Sequence, residues 1–350
     1  MDRRQLLQYS PSILLASSFP LLVAPVFAAK AGPVAALLVP QTGPHAELGR
    51  SMERAAMLAQ ATNAKLSLAV YDTGGTPEGA AAAARLALKK RAGVILGPLM
   101  AVEVPGVVAA AGGTVPVISF SNDANLRESG AFLLGITARQ SVSAILQYAS
   151  DRGIRRVAVG GEDRGWGAQV RAAAEVEGAA LGLTVNPLPA GDLFTLPGNV
   201  AGSADGLPDA VLMPDIAGLA QLAPQLAAKG IQPLAALPEL DLPGEMFQQL
   251  EGTWLAAPDP AGFANFARQF EQRMGTRPGI IAALAFDASS ILNQMRQSGG
   301  LDRSAVLATN GFSGVCGHVR FREDGSAARN LTILELAAGG IRKIAAPQPA

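Results

Sequence analysis

The sequence predicts an α/β protein of two lobes, each built on a central parallel sheet. Three observations carry that reading. Short apolar runs alternate with helical stretches from about residue 33, the alternation restarts near residue 142, and 350 residues suffice for two ordinary domains. A repeating strand–helix–strand rhythm implies parallel strands joined by right-handed crossovers.

Val34–Val39 reads as the first strand, and Leu48, Met52, Ala55, Ala56 and Ala59 fall at helical spacing behind it. Leu66–Tyr71 is the second strand. Thr76-Pro77-Glu78 then opens a helix, with a hydroxyl cap and a proline in its first turn. Val94–Leu96 is a third strand, ended by Gly97-Pro98, and a helix over Val102–Ala111 leads to a fourth at Val117–Phe120. In the second half, Val142, Ile145, Leu146 and Ala149 mark a helix face before a strand at Arg156–Gly160. A helix over Trp166–Leu181 and a Gly- and Pro-rich loop over 187–208 follow. Next come a strand at Ala210–Met213, a helix at Leu219–Lys229 and a strand at Leu234–Leu237. Beyond Trp254 lie two helices, Phe263–Met274 and Ile280–Met295. Arg320–Phe321 and Leu331–Leu336 read as closing strands around an Asp324-Gly325 turn.

Composition limits the function classes. Hydrophobic residues make up 49% and charged residues 16% of the chain, enough to fill two cores. Lys plus Arg and Asp plus Glu are both 28, so nothing favours a nucleic-acid or anionic-membrane partner. With aromatics at 5% and 39 glycines, helices and sheets are expected to pack closely through small side chains.

The N-terminus reads as an export signal. Arg3 and Arg4 precede an apolar run, Ile13–Phe27, and Val26-Phe27-Ala28 places small residues where a signal peptidase would cut after Ala28. Pro11 precedes the run and Pro20 and Pro25 break it, and it is short for a spanning helix. Arg3-Arg4-Gln5-Leu6-Leu7 resembles a twin-arginine signal. The expected location is therefore the periplasm, with residues 1–28 removed and no membrane span in the mature chain. Cys316 is the sole cysteine, so none follows the apolar run to carry a lipid.

Catalysis has no visible machinery. His45 and His318 are the only histidines, and His45-Ala46-Glu47 lacks a third metal ligand at recognisable spacing. The Gly-x-Ser-x-Gly elbow, the phosphate-cradling Gly-Lys-Ser/Thr loop and the Gly-x-Gly-x-x-Gly fingerprint are all missing. Cys316 sits among Gly314, Val315 and Gly317 without an adjacent base and reads as a buried structural thiol. Neither enzymatic activity, a metal nor a cofactor is expected.

Several segments, taken in order, resemble the type I periplasmic binding protein family of leucine/isoleucine/valine-type receptors. They are Val39-Pro40-Gln41-Thr42-Gly43-Pro44 running to Gly49, Tyr71-Asp72-Thr73-Gly74-Gly75-Thr76-Pro77, Leu96-Gly97-Pro98, and Val115-Pro116-Val117-Ile118-Ser119 with Ser121. Arg155-Arg156-Val157-Ala158, with Glu162-Asp163 to Gly167, resembles the opening of the family's second lobe, and Gly314 to Gly325 its last crossover. Within the family the run Ser119-Phe120-Ser121-Asn122-Asp123 and the Gly74-Gly75-Thr76-Pro77 turn are similar to a branch of penicillin-binding protein activators and ABC transporter substrate-binding proteins. Leu99, Met100 and Ala101 depart from the family pattern, standing where amino-acid receptors place a hydroxyl.

The resemblance implies two Rossmann-like lobes joined by a three-crossover hinge, one of residues 33–137 plus 258–310 and the other of 138–257 plus 311–345. It implies a ligand cleft at the carboxyl ends of the strands, where open α/β sheets bind ligands. Pro98, Leu99, Ser119 and Ser121 would line the first wall, the two hydroxyls meeting a carboxylate; alternatively these serines only cap a turn. Trp166 would cover the ligand from the second lobe, or else pack under that lobe's surface. Asp215 and Glu239 would meet an ammonium group, or stay as solvated turn carboxylates. Two functions fit. One is a receptor handing an amino-acid-like solute to an ABC permease. The other is a receptor-like fold regulating a cell-wall synthase by protein–protein contact.

Overall fold

In a computed structural model, residues 35–61, 67–188, 207–237 and 246–346 are described. The export signal expected over residues 1–28, and Glu239, lie outside the described residues.

The first half contains β1 (Ala35–Val39), α1 (Ala46–Ala61), β2 (Leu68–Asp72), α2 (Pro77–Lys89), β3 (Ile95–Leu96), α3 (Val104–Ala111), β4 (Val117–Ser119) and β5 (Phe132–Leu133). Then follow α4 (Ala138–Asp151), β6 (Arg156–Val159), α5 (Gly165–Ala180), β7 (Thr184–Pro187), β8 (Ala210–Met213), α6 (Ile216–Ala228), β9 (Gln232–Ala235), α7 (Met246–Gln249) and β10 (Trp254–Ala257). The last part holds α8 (Pro260–Met274), α9 (Ile280–Gln297), α10 (Arg303–Val306) and strands β11 (Phe312–Gly314), β12 (Gly317–Phe321), β13 (Ala327–Arg329), β14 (Thr332–Ala337) and β15 (Gly340–Ala345).

The first lobe's sheet runs β2-β1-β3-β4-β5 with all pairs parallel. Its interior strand β1, Ala35-Ala36-Leu37-Leu38-Val39, is buried throughout because helices cover both faces. Alternation divides it: Ala35, Leu37 and Val39 join a core with α1 and α9, while Ala36 and Leu38 face α2 and α3. The start of α2 follows the sequence. Thr76 Oγ1 accepts from the Gly79 amide at 3.1 Å, and Pro77 occupies the first turn, where no amide partner is needed. Ala80, Ala83, Ala84 and Ala87 are its buried face.

The second sheet runs β15-β14-β10-β9-β8-β6-β7. From β10 to β7 it is parallel, and β14 and β15 extend it as antiparallel strands. α4 and α5 pack on one face and α6 and α7 on the other. Two α/β lobes on mainly parallel sheets are therefore present, as the sequence predicts.

The closing strands differ from the sequence reading. β12 pairs with β13, not with Leu331–Leu336, across a turn closed by Arg322 N–H to Ser326 O at 2.8 Å. β14 instead pairs with β10 and β15. Residues 311–345 are accordingly split. Phe312, Cys316, Val319, Phe321 and Ala327 belong to the first lobe's core, whereas Leu331, Ile333, Leu334 and Leu336 belong to cores of the second. Phe132 and Phe321 meet edge-to-face at 5.6 Å and hold this small sheet to β5.

The chain thus passes between lobes three times: from β5 to α4, from β10 to α8, and from β13 to β14. Arg329, at the third passage, is only 2% exposed. Its Nη1 donates to Cys316 O at 2.9 Å and its Nη2 to Leu134 O at 2.6 Å, tying the third passage to the first. Burial holds the Arg329 pKa below its usual value, opposed by the negative charge of nearby groups that include Asp287. Asp287, on α9, accepts from the Val315 amide at 2.7 Å and the Cys316 amide at 2.8 Å. Burial raises its pKa despite those two bonds. Gly314 is required beside it, because a Cβ there would run into the Asp287 carboxylate.

Arg329→Leu is expected to lower stability by about 1–3 kcal/mol for each carbonyl left unpaired. Urea unfolding followed by circular dichroism measures this. A midpoint equal to wild type would remove Arg329 from the account of the hinge.

Candidate functional site

The first lobe's candidate wall is built where β3 and β4 end. Gly97 has φ +110°, and a Cβ there would collide with the Leu38 carbonyl, so the chain turns close against β1. Pro98 and Leu99 follow, both buried. A ladder of bonds then fixes the serines. Ser119 Oγ donates to Pro98 O at 3.0 Å and accepts from the Ser121 amide at 3.1 Å; Ser121 Oγ accepts from the Asp123 amide at 3.2 Å. Ser119 is fully buried with its hydroxyl engaged as donor and acceptor, while Ser121, 4% exposed, accepts one bond and retains its own O–H proton. Pro98, Ser119 and Ser121 form one backbone-anchored unit, with Leu99 adjoining.

The second lobe's wall is an open hollow of about 1250 Å³ at the carboxyl ends of β6 and β8. It brings together Trp166 and Asp215, lined further by Glu162, Asp163, Arg164 and Arg171. Trp166 sits at the start of α5, with its ring partly buried against the second lobe's core and its Nε1 donating to Ala236 O at 2.8 Å, just beyond β9. Asp215 is exposed and caps α6, accepting from the Gly218 amide at 2.6 Å. Arg171 pairs with Asp163 and donates through Nη2 to Gly161 O at 2.7 Å, while its buried Nε–H has no acceptor among the described residues. Arg164 pairs with Glu162 at 2.7 Å, and this exposed pair raises the arginine pKa.

The structure therefore places the sequence-predicted residues in two sets on separate lobes. The hollow is lined wholly by second-lobe residues. Sequence reasoning missed Arg171, which lies in the second turn of α5 behind the Asp163-Arg164-Gly165-Trp166 turn. Its spacing, eight residues beyond Asp163, is not that of neighbours on one helix, so no pattern marks the pair. Glu103 was missed as well. It is fully buried, its Oε2 accepts from the Met100 amide at 2.9 Å, and burial raises its pKa. It closes the Pro98–Glu103 loop from inside, a role that sequence position does not announce. Among the described residues no group of three or more His, Cys, Asp or Glu could hold a metal ion.

Two α/β lobes, each presenting its strand ends as a wall, define a two-lobed ligand-binding protein. The chain belongs to the periplasmic binding protein family, whose profile matches residues 34–340. That family consists of binding proteins, not enzymes. No curated protein sequence matches the chain significantly. Among solved structures, it is similar to an ABC transporter substrate-binding protein from Sphaerobacter thermophilus, with 18% identity, 90% of this chain and 97% of that one covered, and a TM-score of 0.72. It is similar to the branched-chain amino acid transporter substrate-binding protein LivJ of Streptococcus pneumoniae in complex with isoleucine, with 17% identity, coverage of 91% and 100%, and a TM-score of 0.60. It is also similar to the C-domain of LpoA from Haemophilus influenzae, a regulator of PBP1A, with 17% identity, coverage of 89% and 99%, and a TM-score of 0.69. At these identities the likeness carries the fold.

Trp166→Phe keeps a ring in place but deprives Ala236 O of its donor. A loss of about 1 kcal/mol is expected in urea unfolding followed by far-ultraviolet circular dichroism. An unchanged midpoint would mean that the indole bond adds nothing to the wall.

Proposed function

We propose that this chain is the solute receptor of an ABC-type uptake system, exported to the periplasm, and that it binds a small amino-acid-like molecule between its lobes. The observation that carries the reading is the second-lobe hollow at the strand ends, which Trp166 and Asp215 both line. In the bound state Ser121 and Ser119, with Pro98 and Leu99, would take the carboxylate side of the ligand. Trp166 would cover its apolar part, and Asp215, with Glu239, would face the ammonium. Such a ligand suits the site physically: an apolar body against an aromatic ring, with a few placed polar groups setting orientation. The substrate-binding proteins named above share the fold, and one of them was solved with isoleucine. No helix among the described residues is long and apolar enough to cross a membrane.

A second reading, regulation of a cell-wall synthase by protein contact, is favoured by two observations. The LpoA C-domain has a similar fold, and the Ser119 hydroxyl proton, which a ligand carboxylate would need, is already donated to this chain's own Pro98 carbonyl.

A thermal-shift screen of amino acids, short peptides and cell-wall fragments separates the two. The receptor reading expects a stabilising compound whose affinity falls roughly ten- to a hundredfold in Ser121→Ala and also falls in Trp166→Ala. In a Trp254→Phe background the same compound should alter the fluorescence of Trp166. A screen in which nothing shifts the melting temperature would sink the receptor reading in favour of the regulator.

A further inference from the structure

A second cavity lies where the lobes join, apart from both candidate walls. It measures about 660 Å³, and Pro98, Ser119, Ser121, Trp166 and Asp215 take no part in it. The first lobe contributes Arg127, Arg322 and Asp324, and the second contributes Arg139, Gln140 and Gln147 along the outer side of α4. Arg329 of the hinge reaches its floor. The volume falls in the range of small-molecule sites, about 300–1000 Å³.

Its charges are unevenly matched. Arg127 holds Asp324 through Nε at 3.0 Å and Nη2 at 2.6 Å. The Ser326 hydroxyl and amide, with Arg127, bring the Asp324 pKa down to about 2. Arg139 holds Glu177 at 2.7 Å through Nε alone. Asp151 accepts from Gln147 at 2.9 Å. Arg322 is exposed, and among the described residues its guanidinium pairs with no carboxylate. The Nε–H of Arg329 is closed off from solvent and has no acceptor among the described residues, so it takes no part in the groove's surface. Four guanidiniums thus line the groove with three carboxylates, two of which are already engaged by arginines. With four guanidiniums facing three carboxylates across one cavity, and the exposed Arg322 guanidinium unpaired among the described residues, the groove calls for an acceptor carrying negative charge.

We propose that this hinge groove is a second ligand site, independent of the cleft between the candidate walls, and that it takes a small anion bearing two or more phosphoryl or carboxylate groups. Arg322 and Arg139 grip it from opposite lobes, with Arg127 beside them. A ligand held by both lobes at the hinge binds best at one lobe angle, so its occupancy is thermodynamically linked to opening and closing of the molecule.

Isothermal titration calorimetry of the full chain at low ionic strength, with pyrophosphate in one arm and citrate in the other, tests this. Saturable binding of at least one anion is expected, and the preferred arm assigns phosphoryl or carboxylate chemistry. Arg322→Gln and Arg139→Gln, both surface changes, are each expected to weaken binding roughly tenfold or more. Asp151→Asn, which removes an opposing charge, is expected to strengthen it. Arg85→Gln, an exposed position on α2, controls for diffuse attraction. Heats that never saturate in either arm would overturn the proposal. So would binding that Arg322→Gln and Arg139→Gln leave intact, or that Arg85→Gln weakens as much as they do.

Discussion

Arg329 brings a guanidinium into the interior at the point where the chain passes between lobes for the third time, and the structure around it is arranged to accommodate that charge. A buried cation is tolerated only when hydrogen-bonded and electrostatically compensated. Two carbonyls supply the bonds, one from the turn between β11 and β12 and one from the end of β5. Asp287 fixes that same turn through the Val315 and Cys316 amides and contributes opposing charge from α9. Gln140, in the capping box that starts α4, donates to Ala327 O just ahead of Arg329. The first and third passages are thereby bonded to each other and to both lobes. The wall residues hang from the strands and helices that these passages connect.

The walls themselves rest on ordinary backbone chemistry. In the first lobe, serines and an aspartate each accept from the amide two residues on, so the loop after β4 is held without help from the second lobe. In the second, Asp215 caps a helix and Trp166 bonds the backbone beyond β9. Each wall is preorganised within its own lobe, which is the condition for two lobes to move as bodies and to meet a ligand with little reordering. Trp254, by contrast, sits at the start of β10 against the Tyr148 ring at 5.1 Å, among the residues that pack the second lobe's core.

Much of the architecture was legible because burial forces pattern. β1, covered on both faces, reads as an unbroken apolar run, and Thr76-Pro77 announces α2 through the needs of a helix start. Elements without such pressure were missed. β5 is two residues long, β10 lay in a stretch read as leading to helices, and β7 and β15 are edge strands with exposed positions and no apolar run. β13 is Ala-Ala-Arg, which carries no strand signal, so the β12 partner was assigned to the stronger apolar run that in fact forms β14. Of the candidate wall residues, Ser119 at the end of β4 and Ser121, Trp166 and Asp215 beyond strand ends could be placed from the sequence, because an apolar run marks each of those strands. Arg329, Asp287 and Glu103 could not, since a charged side chain in a sequence reads as surface until its partners are known.

The central claim is that the two lobes close on a small ligand about the hinge that Arg329 ties together. Its most direct test is a distance between the lobes. Cys316 is fully buried, so spin labels can be directed to Glu78→Cys on the first lobe and Ala217→Cys on the second, both at exposed positions in first helical turns. Pulsed dipolar spectroscopy would be recorded on protein unfolded and refolded to strip bound solutes, with and without a mixture of the common amino acids. The account predicts a shorter, narrower distance distribution when the mixture is present. A distribution that the mixture leaves unchanged would contradict it.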